Sequence, residues 1–215
     1  MGGKMVTEKI DKTSFKNLLE DSFKTLCQRE GNNEILGWLA TTGASCEKWF
    51  QFEFGFHLNS LLEKYGLCIY PELQKIDLPV FAIEEANDKK GWVQTLKTDI
   101  ELKHLANWYT RKEQYEKIKG DINKINQSNI YSLLILFAIF VKPNEEARKN
   151  AWIKDQLTKG QGILEYNKFK EDIEKNLGSS VIYKECKIGA INGFDEFYLT
   201  IMVYENIKEI KGEFK

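Results

Sequence analysis

From Ile130 to Val141 the chain is apolar at every position but Ser132. As a helix this run is too short to cross a bilayer, which takes roughly 20 apolar residues. As a strand it offers water no polar face, so it must be covered on both sides. The fold must therefore provide a sheet with helices on each face.

Periodicity on either side of the run supplies the other parts. Ser14 reads as the cap of a first helix, with Phe15, Leu18, Leu19, Phe23 and Leu26 on one face and Gly31-Asn32 at its end. A short helix over 34–40 and a turn at Gly43 follow. Ser45 opens a longer helix, Cys46 to Tyr65, whose apolar content is Trp49, Phe52, Phe56, Leu61 and Leu62, with Gly66 as its stop. Leu67 to Tyr70 reads as a short strand. Residues 78–86 and 92–104 read as two strands joined by Asn87-Asp88-Lys89-Lys90-Gly91, which has hairpin turn chemistry. Pro79 then belongs at the beginning of its strand or on an edge. Helical spacing returns over 111–125, ahead of the apolar strand. Pro143 opens a helix reaching Leu157, and another helix over 164–177 stops at Gly178. Two closing strands, 180–188 and 194–204, flank a turn framed by Gly189 and Gly193. This order predicts an α/β fold with a central mixed β-sheet flanked by helices. The chain has 215 residues, three prolines and no Gly/Ser or like-charge linker, so a single domain over 1–215 is expected.

Charge and cysteine usage exclude several classes of function. With 31 basic and 32 acidic residues the net charge is -1. That balance argues against non-specific coating of nucleic acid, which counterion release drives, though it leaves room for a local basic cleft. Cys27, Cys46, Cys68 and Cys186 form no C-x-x-C pair, and His57 and His104 are the two histidines. A structural zinc site is not expected. Four free thiols in a reducing, cytoplasmic compartment are. Residues 1–11 are polar and lack the apolar region of a signal peptide. There is no phosphate-loop, H-E-x-x-H or G-x-S-x-G pattern.

The segment Lys97-Thr98-Asp99-Ile100-Glu101-Leu102-Lys103-His104 carries the chemistry. Strand side chains alternate, so one face presents Lys97, Asp99, Glu101 and Lys103 while the other presents Leu96, Thr98, Ile100 and Leu102. An acid-x-Lys pair occurs five times in the chain: Asp88/Lys90, Glu101/Lys103, Glu185/Lys187, Glu209/Lys211 and Glu213/Lys215. Only Glu101/Lys103 lies near the end of a long strand that closes a hairpin and precedes a helix. With the turn centred near Lys89, facing residues have numbers summing to about 178–180, which sets Glu101 opposite 77–79. Asp77 then shares a face with Glu101, unless the register slips by one.

With these residues in place the chain resembles the PD-(D/E)XK nuclease superfamily, the group that includes many restriction endonucleases. The resemblance covers about 46–157, leaving an N-terminal helical addition and a C-terminal β-hairpin addition. It implies a restriction-endonuclease-like core and Mg²⁺-dependent hydrolysis of DNA phosphodiester bonds, with Mn²⁺ as a substitute. Asp77 and Glu101 would hold the metal, a hard cation that prefers oxygen. Lys103 would position or activate the attacking water. Glu53 looks like the accessory acid of the preceding helix, and Asp99 is a rival ligand on the strand face. Asp77 departs from the family pattern, because Pro79 follows it and no proline precedes it. Cutting both strands implies a homodimer.

Other readings stand beside this one. Glu101 and Lys103 also suit a plain solvated strand face, and Asp77 a turn residue. His104 lies on the core side and suits packing. His57, one turn after Glu53, suits a local hydrogen bond better than a metal pair. Trp49, Trp92 and Trp108 suit core packing as well as base stacking. Lys117, Lys119 and Lys124 suit a solvated helix as well as phosphate contacts. The alternative function is a catalytically inactive nuclease-fold protein with a binding or regulatory role in a bacterial or phage system. A third is an interaction factor of a mobile element with an unrelated α/β fold. Convergence of Asp77, Glu101 and Lys103 in one cleft favours the enzyme.

Overall fold

The computed structural model describes residues 10–32, 34–36, 46–73, 76–85, 92–106, 111–143, 145–151, 154–155, 166–191 and 194–206. The expected turns at Gly43, 87–91 and Gly193, and Trp108, lie outside them. The helices are α1 (Lys12–Gln28), α2 (Glu47–Leu62, continued by a 3₁₀ turn Glu63–Tyr65), α3 (Arg111–Gln127), α4 (Glu145–Lys149) and α5 (Tyr166–Leu177). The strands are β1 (Leu67–Ile69), β2 (Val80–Glu85), β3 (Trp92–Ala106), β4 (Tyr131–Pro143), β5 (Ile182–Ile191) and β6 (Phe194–Glu205). Among the described residues no helix is long and apolar enough to cross a membrane.

All six strands lie in one mixed sheet, in the order β1-β2-β3-β4-β6-β5. Among the described residues only β3 and β4 run parallel; every other neighbouring pair is antiparallel. Parallel neighbours need a long crossover, and the 17 residues of α3 provide it. β4 is the central strand its sequence demands, and residues 131–140 are all buried. Leu133, Ile135, Phe137 and Ile139 pack with the buried side chains of α1 and α2. Leu134, Leu136, Ala138 and Phe140 pack with Tyr115, Ile118 and Ile125 of α3 and Phe169 and Ile173 of α5. Each such side chain contributes roughly 1.5–3 kcal/mol by leaving water. Ring contacts join the layers, with Phe50 stacked on Phe137 at 4.2 Å and Phe140 edge-on to Phe169 at 4.6 Å.

Asn206, just past β6, fixes the junction between α3 and β4. Its side chain donates to the carbonyls of Ile125 (3.0 Å) and Ile130 (2.7 Å) and accepts from the Ser132 N–H (3.1 Å). Buried helix-end carbonyls need such partners.

Four local expectations are corrected. The cap of α1 is Asp11, whose carboxylate accepts from the Ser14 N–H at 2.7 Å; Ser14 itself lies inside the first turn. On α2 the buried stripe is Phe50, Phe54, Leu58 and Leu62, while Phe52 and Phe56 are 59% and 64% exposed. Aromatics at nearly every second position left the choice of stripe open to composition. β5 extends to Ile191 and takes in Gly189, at an irregular register against β6. Finally, Cys27 of α1 and Cys186 of β5 form a disulfide across 159 residues, leaving Cys46 and Cys68 as free thiols. That pairing depends on α1 lying against β5, a contact that no local spacing reveals. Closing so long a loop contributes about 2–4 kcal/mol. Dithiothreitol, or Cys186→Ser, is expected to lower the urea midpoint accordingly. Identical midpoints for oxidised and reduced protein would refute the bond.

Candidate active site

β2 begins only at Val80, so β3 outruns it. The last ladder pair is Val80 with Thr98, beyond an irregularity at Val80/Phe81. Past that point the segment before β2 takes over, and the Leu78 N–H donates to the Ile100 carbonyl at 3.0 Å. The next outward donor, the Leu102 N–H, meets a side chain instead: Asp77 Oδ2 accepts from it at 2.8 Å. Toward the one after, on His104, lies the carboxylate of Glu47 in the first turn of α2, its charge eased by that amide. A row of backbone donors that has lost its partner strand thus draws in two acids. Gln51 of α2 holds the Asp77 carbonyl at 2.7 Å and keeps the segment in place.

On β3 itself Glu101 and Lys103 point to the same face. The Lys103 ammonium donates to Glu101 Oε1 and to the Leu102 carbonyl, each at 2.9 Å. It lies 3.9 Å from Asp77, 3.8 Å from Glu47 and 3.8 Å from Asp121 of α3. One cation is therefore surrounded by four carboxylates from four segments. Burial acts to lower the Lys103 pKa, but Glu101, Glu47 and Asp77 outweigh it and hold it above the ordinary 10.5. Burial raises Glu101 and Glu47 above the usual carboxylate range, with Lys103 opposing. Burial also raises Asp99, with the Ser132 side chain opposing, and its Oδ1 has no hydrogen-bond partner. Asp99, Glu101 and Asp121 line a cleft of about 160 Å³ together with Ile76, Lys124 and Ile125.

The structure brings Asp77, Glu101 and Lys103 together and sets Asp99 one position along the same strand face. It does not bring Glu53 there. Glu53 is bound to Arg29 at 2.5 Å and lies 3.8 Å from His57, on another side of α2. The helix acid at the cluster is Glu47, six residues earlier in the chain. Glu47 and Asp121 were missed. An acid in the first turn of a helix is ordinary, because it suits the helix dipole, so Glu47 gave no signal. Asp121 gave one, being an acid within the apolar stripe Ile118, Ile122, Ile125. His104 packs beside Phe50 at 5.7 Å, and burial pushes its pKa down to about 4. Trp49 packs edge-on to Phe50, and Lys119 pairs with Glu116.

The donor set suits Mg²⁺ in kind, since these groups are all carboxylate oxygens and the Asp99 Oδ1 is buried without a partner. Among the described residues no three acids, histidines or cysteines are gathered closely enough to form a metal cage. Mg²⁺ characteristically uses only one or two carboxylates and keeps its waters. Asp77 and Glu101 are the pair that would serve, with Asp99 beside them.

The raised Glu47 binds its proton more tightly folded than unfolded. Its contribution is present at low pH and is lost as pH rises from 4.5 through the raised value. Lys103 contributes below 10.5 and loses that contribution only as pH rises through its own raised value. Glu47→Gln keeps the acceptor without the charge. It is expected to raise Tm at pH 7 by about 1–2 °C, a figure discounted for solvent screening, with the gap closing toward pH 4. Thermal melts at both pH values check this, and a lower Tm at pH 7 would contradict it. In the comparisons with known proteins, the chain matches no family model, no curated protein and no solved structure.

Proposed function

We propose that the chain is a Mg²⁺-dependent endonuclease that hydrolyses DNA phosphodiester bonds, with a restriction-endonuclease-like core. The observation that carries this reading is the convergence of Asp77, Glu101 and Lys103 at the notch where β3 outruns β2. The order of elements supports it: α2, the β2–β3 hairpin, α3, then the apolar β4.

A divalent ion held by Asp77 and Glu101 would supply Lewis-acid polarisation of a phosphoryl oxygen and acidify water. The protein's own part follows from charge. Lys103 keeps its proton throughout the neutral range, so it acts as a fixed cation and donor, not as a base. It stabilises negative charge as a water oxygen bonds to phosphorus and the bond to one ester oxygen breaks. The proton leaving the water needs a carboxylate. Glu47, raised by burial and not among the residues that would hold the ion, is better matched to accept it than an ordinary acid. Two copies about a two-fold axis would give each DNA strand its own site.

One observation favours the second reading, a nuclease-fold binding protein without catalysis. Asp77 already satisfies a backbone donor, and Lys103 already pairs with Glu101. A closed ion-pair network is also what a purely structural site would show.

Supercoiled plasmid with Mg²⁺ or Mn²⁺ separates the two. Wild type is expected to nick or cut, and chelation to stop it. Glu101→Ala and Lys103→Ala are expected to lose about 10²- to 10³-fold in rate. Glu53→Ala is expected to cut like wild type, whereas Glu47→Ala is slowed. Binding without cleavage by wild type under both metals would establish the second reading instead.

A further inference from the structure

α3 packs on the sheet through Tyr115, Ile118, Ile122 and Ile125. Asp121 falls in the middle of that stripe, and its side chain is only 8% exposed. A carboxylate at such a position costs stability unless cations compensate it. Two do. Asp121 Oδ1 lies 2.5 Å from Lys124 one turn on, and Oδ2 lies 3.8 Å from Lys103 on the strand. Lys103 is 20% exposed and belongs to the interior of the cluster. Lys124 is 77% exposed and stands at the edge of the cleft. Among the described residues lining that cleft, Lys124 is the one basic group, facing Asp99, Glu101 and Asp121.

A polyanion approaching these carboxylates is repelled unless a cation meets it first. We propose that Asp121 is a positioning residue that holds both ammonium groups, and that it thereby presents Lys124 at the cleft mouth to a backbone phosphate of bound nucleic acid. This rests on the phosphodiester reading above and names the contact that would seat the substrate. Asp121 acts through the two lysines and touches no reacting atom. Its Oδ2 contact sets where Lys103 sits, and its Oδ1 contact limits the rotamers of an otherwise free surface lysine.

The test uses a fluorescent DNA duplex with Ca²⁺ in place of Mg²⁺, its polarisation titrated across a salt series, alongside plasmid cleavage with Mg²⁺. Lys124→Ala is expected to weaken binding about threefold to fivefold and to reduce the log–log salt slope by about 1, the loss of one phosphate contact. In cleavage its effect falls on KM more than on kcat. Lys124→Arg restores the slope, and Lys119→Ala, on the same helix, leaves it at the wild-type value. Asp121→Asn is expected to reproduce the binding loss and to lower kcat about tenfold, because Lys103 is released as well. Should Asp121→Asn fail to fold, the exposed Lys124 variants still decide. Cleavage and binding by Lys124→Ala equal to wild type, with an unchanged slope, would overturn the inference while leaving hydrolysis intact. Duplex binding that depends on Lys124, without any cutting by wild type, would uphold it and retire the hydrolytic reading. No duplex binding by wild type would end both.

Discussion

Two backbone donors without a partner strand organise this molecule's chemistry. Because β2 starts at Val80, the N–H groups of Leu102 and His104 on β3 face outward with nothing to bond. Leaving a buried amide unpaired costs about 1–3 kcal/mol. Asp77, from the segment leading into β2, answers that demand with a hydrogen bond to Leu102, and Glu47, from the start of α2, sets its carboxylate beside the next amide. Two negative charges are thereby fixed at the edge of the sheet, and a third, Glu101, points there from the strand. Lys103 is what makes the assembly tolerable: its ammonium offsets charges that burial alone would drive to neutrality. A ladder defect thus becomes an electrostatic site.

The cost of such a site is visible in its protonation. Glu47, Glu101 and Asp99 are all raised by burial, so the cluster is held away from its most stable ionisation state at neutral pH. Groups perturbed in this way collect where chemistry is done, although structural ion networks produce the same signature. Asp99 differs from the acids around it in that its Oδ1 has no hydrogen-bond partner.

Much of this was legible in the sequence, for identifiable reasons. The near-continuous apolar run 130–141 suited a strand covered on both faces, and β4 is one. The expected pairing sum of 178–180 is met at Val80 and Thr98 only because the register shifts at Val80/Phe81; the pairs from Phe81 to Glu85 sum to 177, so an irregularity that turn position did not foretell helps set Asp77 beside Glu101. The helix acid was misplaced because the resemblance pointed only to an acid on the helix before the hairpin, which two glutamates satisfy: Glu53 pairs with Arg29, and Glu47 is the one near Lys103. The Cys27–Cys186 bond and the tie from Asn206 to β4 were invisible because each joins residues far apart in the chain and neither has a local pattern.

That tie from Asn206 has a temporal side. The helix bearing Asp121 and Lys124 ends at a junction whose carbonyls are held by an amide 81 residues beyond Ile125. While a nascent chain is still emerging, α3 and β4 exist before their clasp does. The cleft's second wall is pinned only after β6 has been synthesised and has docked on β4. A sheet assembled this way keeps the α3–β4 junction unclasped on the ribosome until β6 arrives.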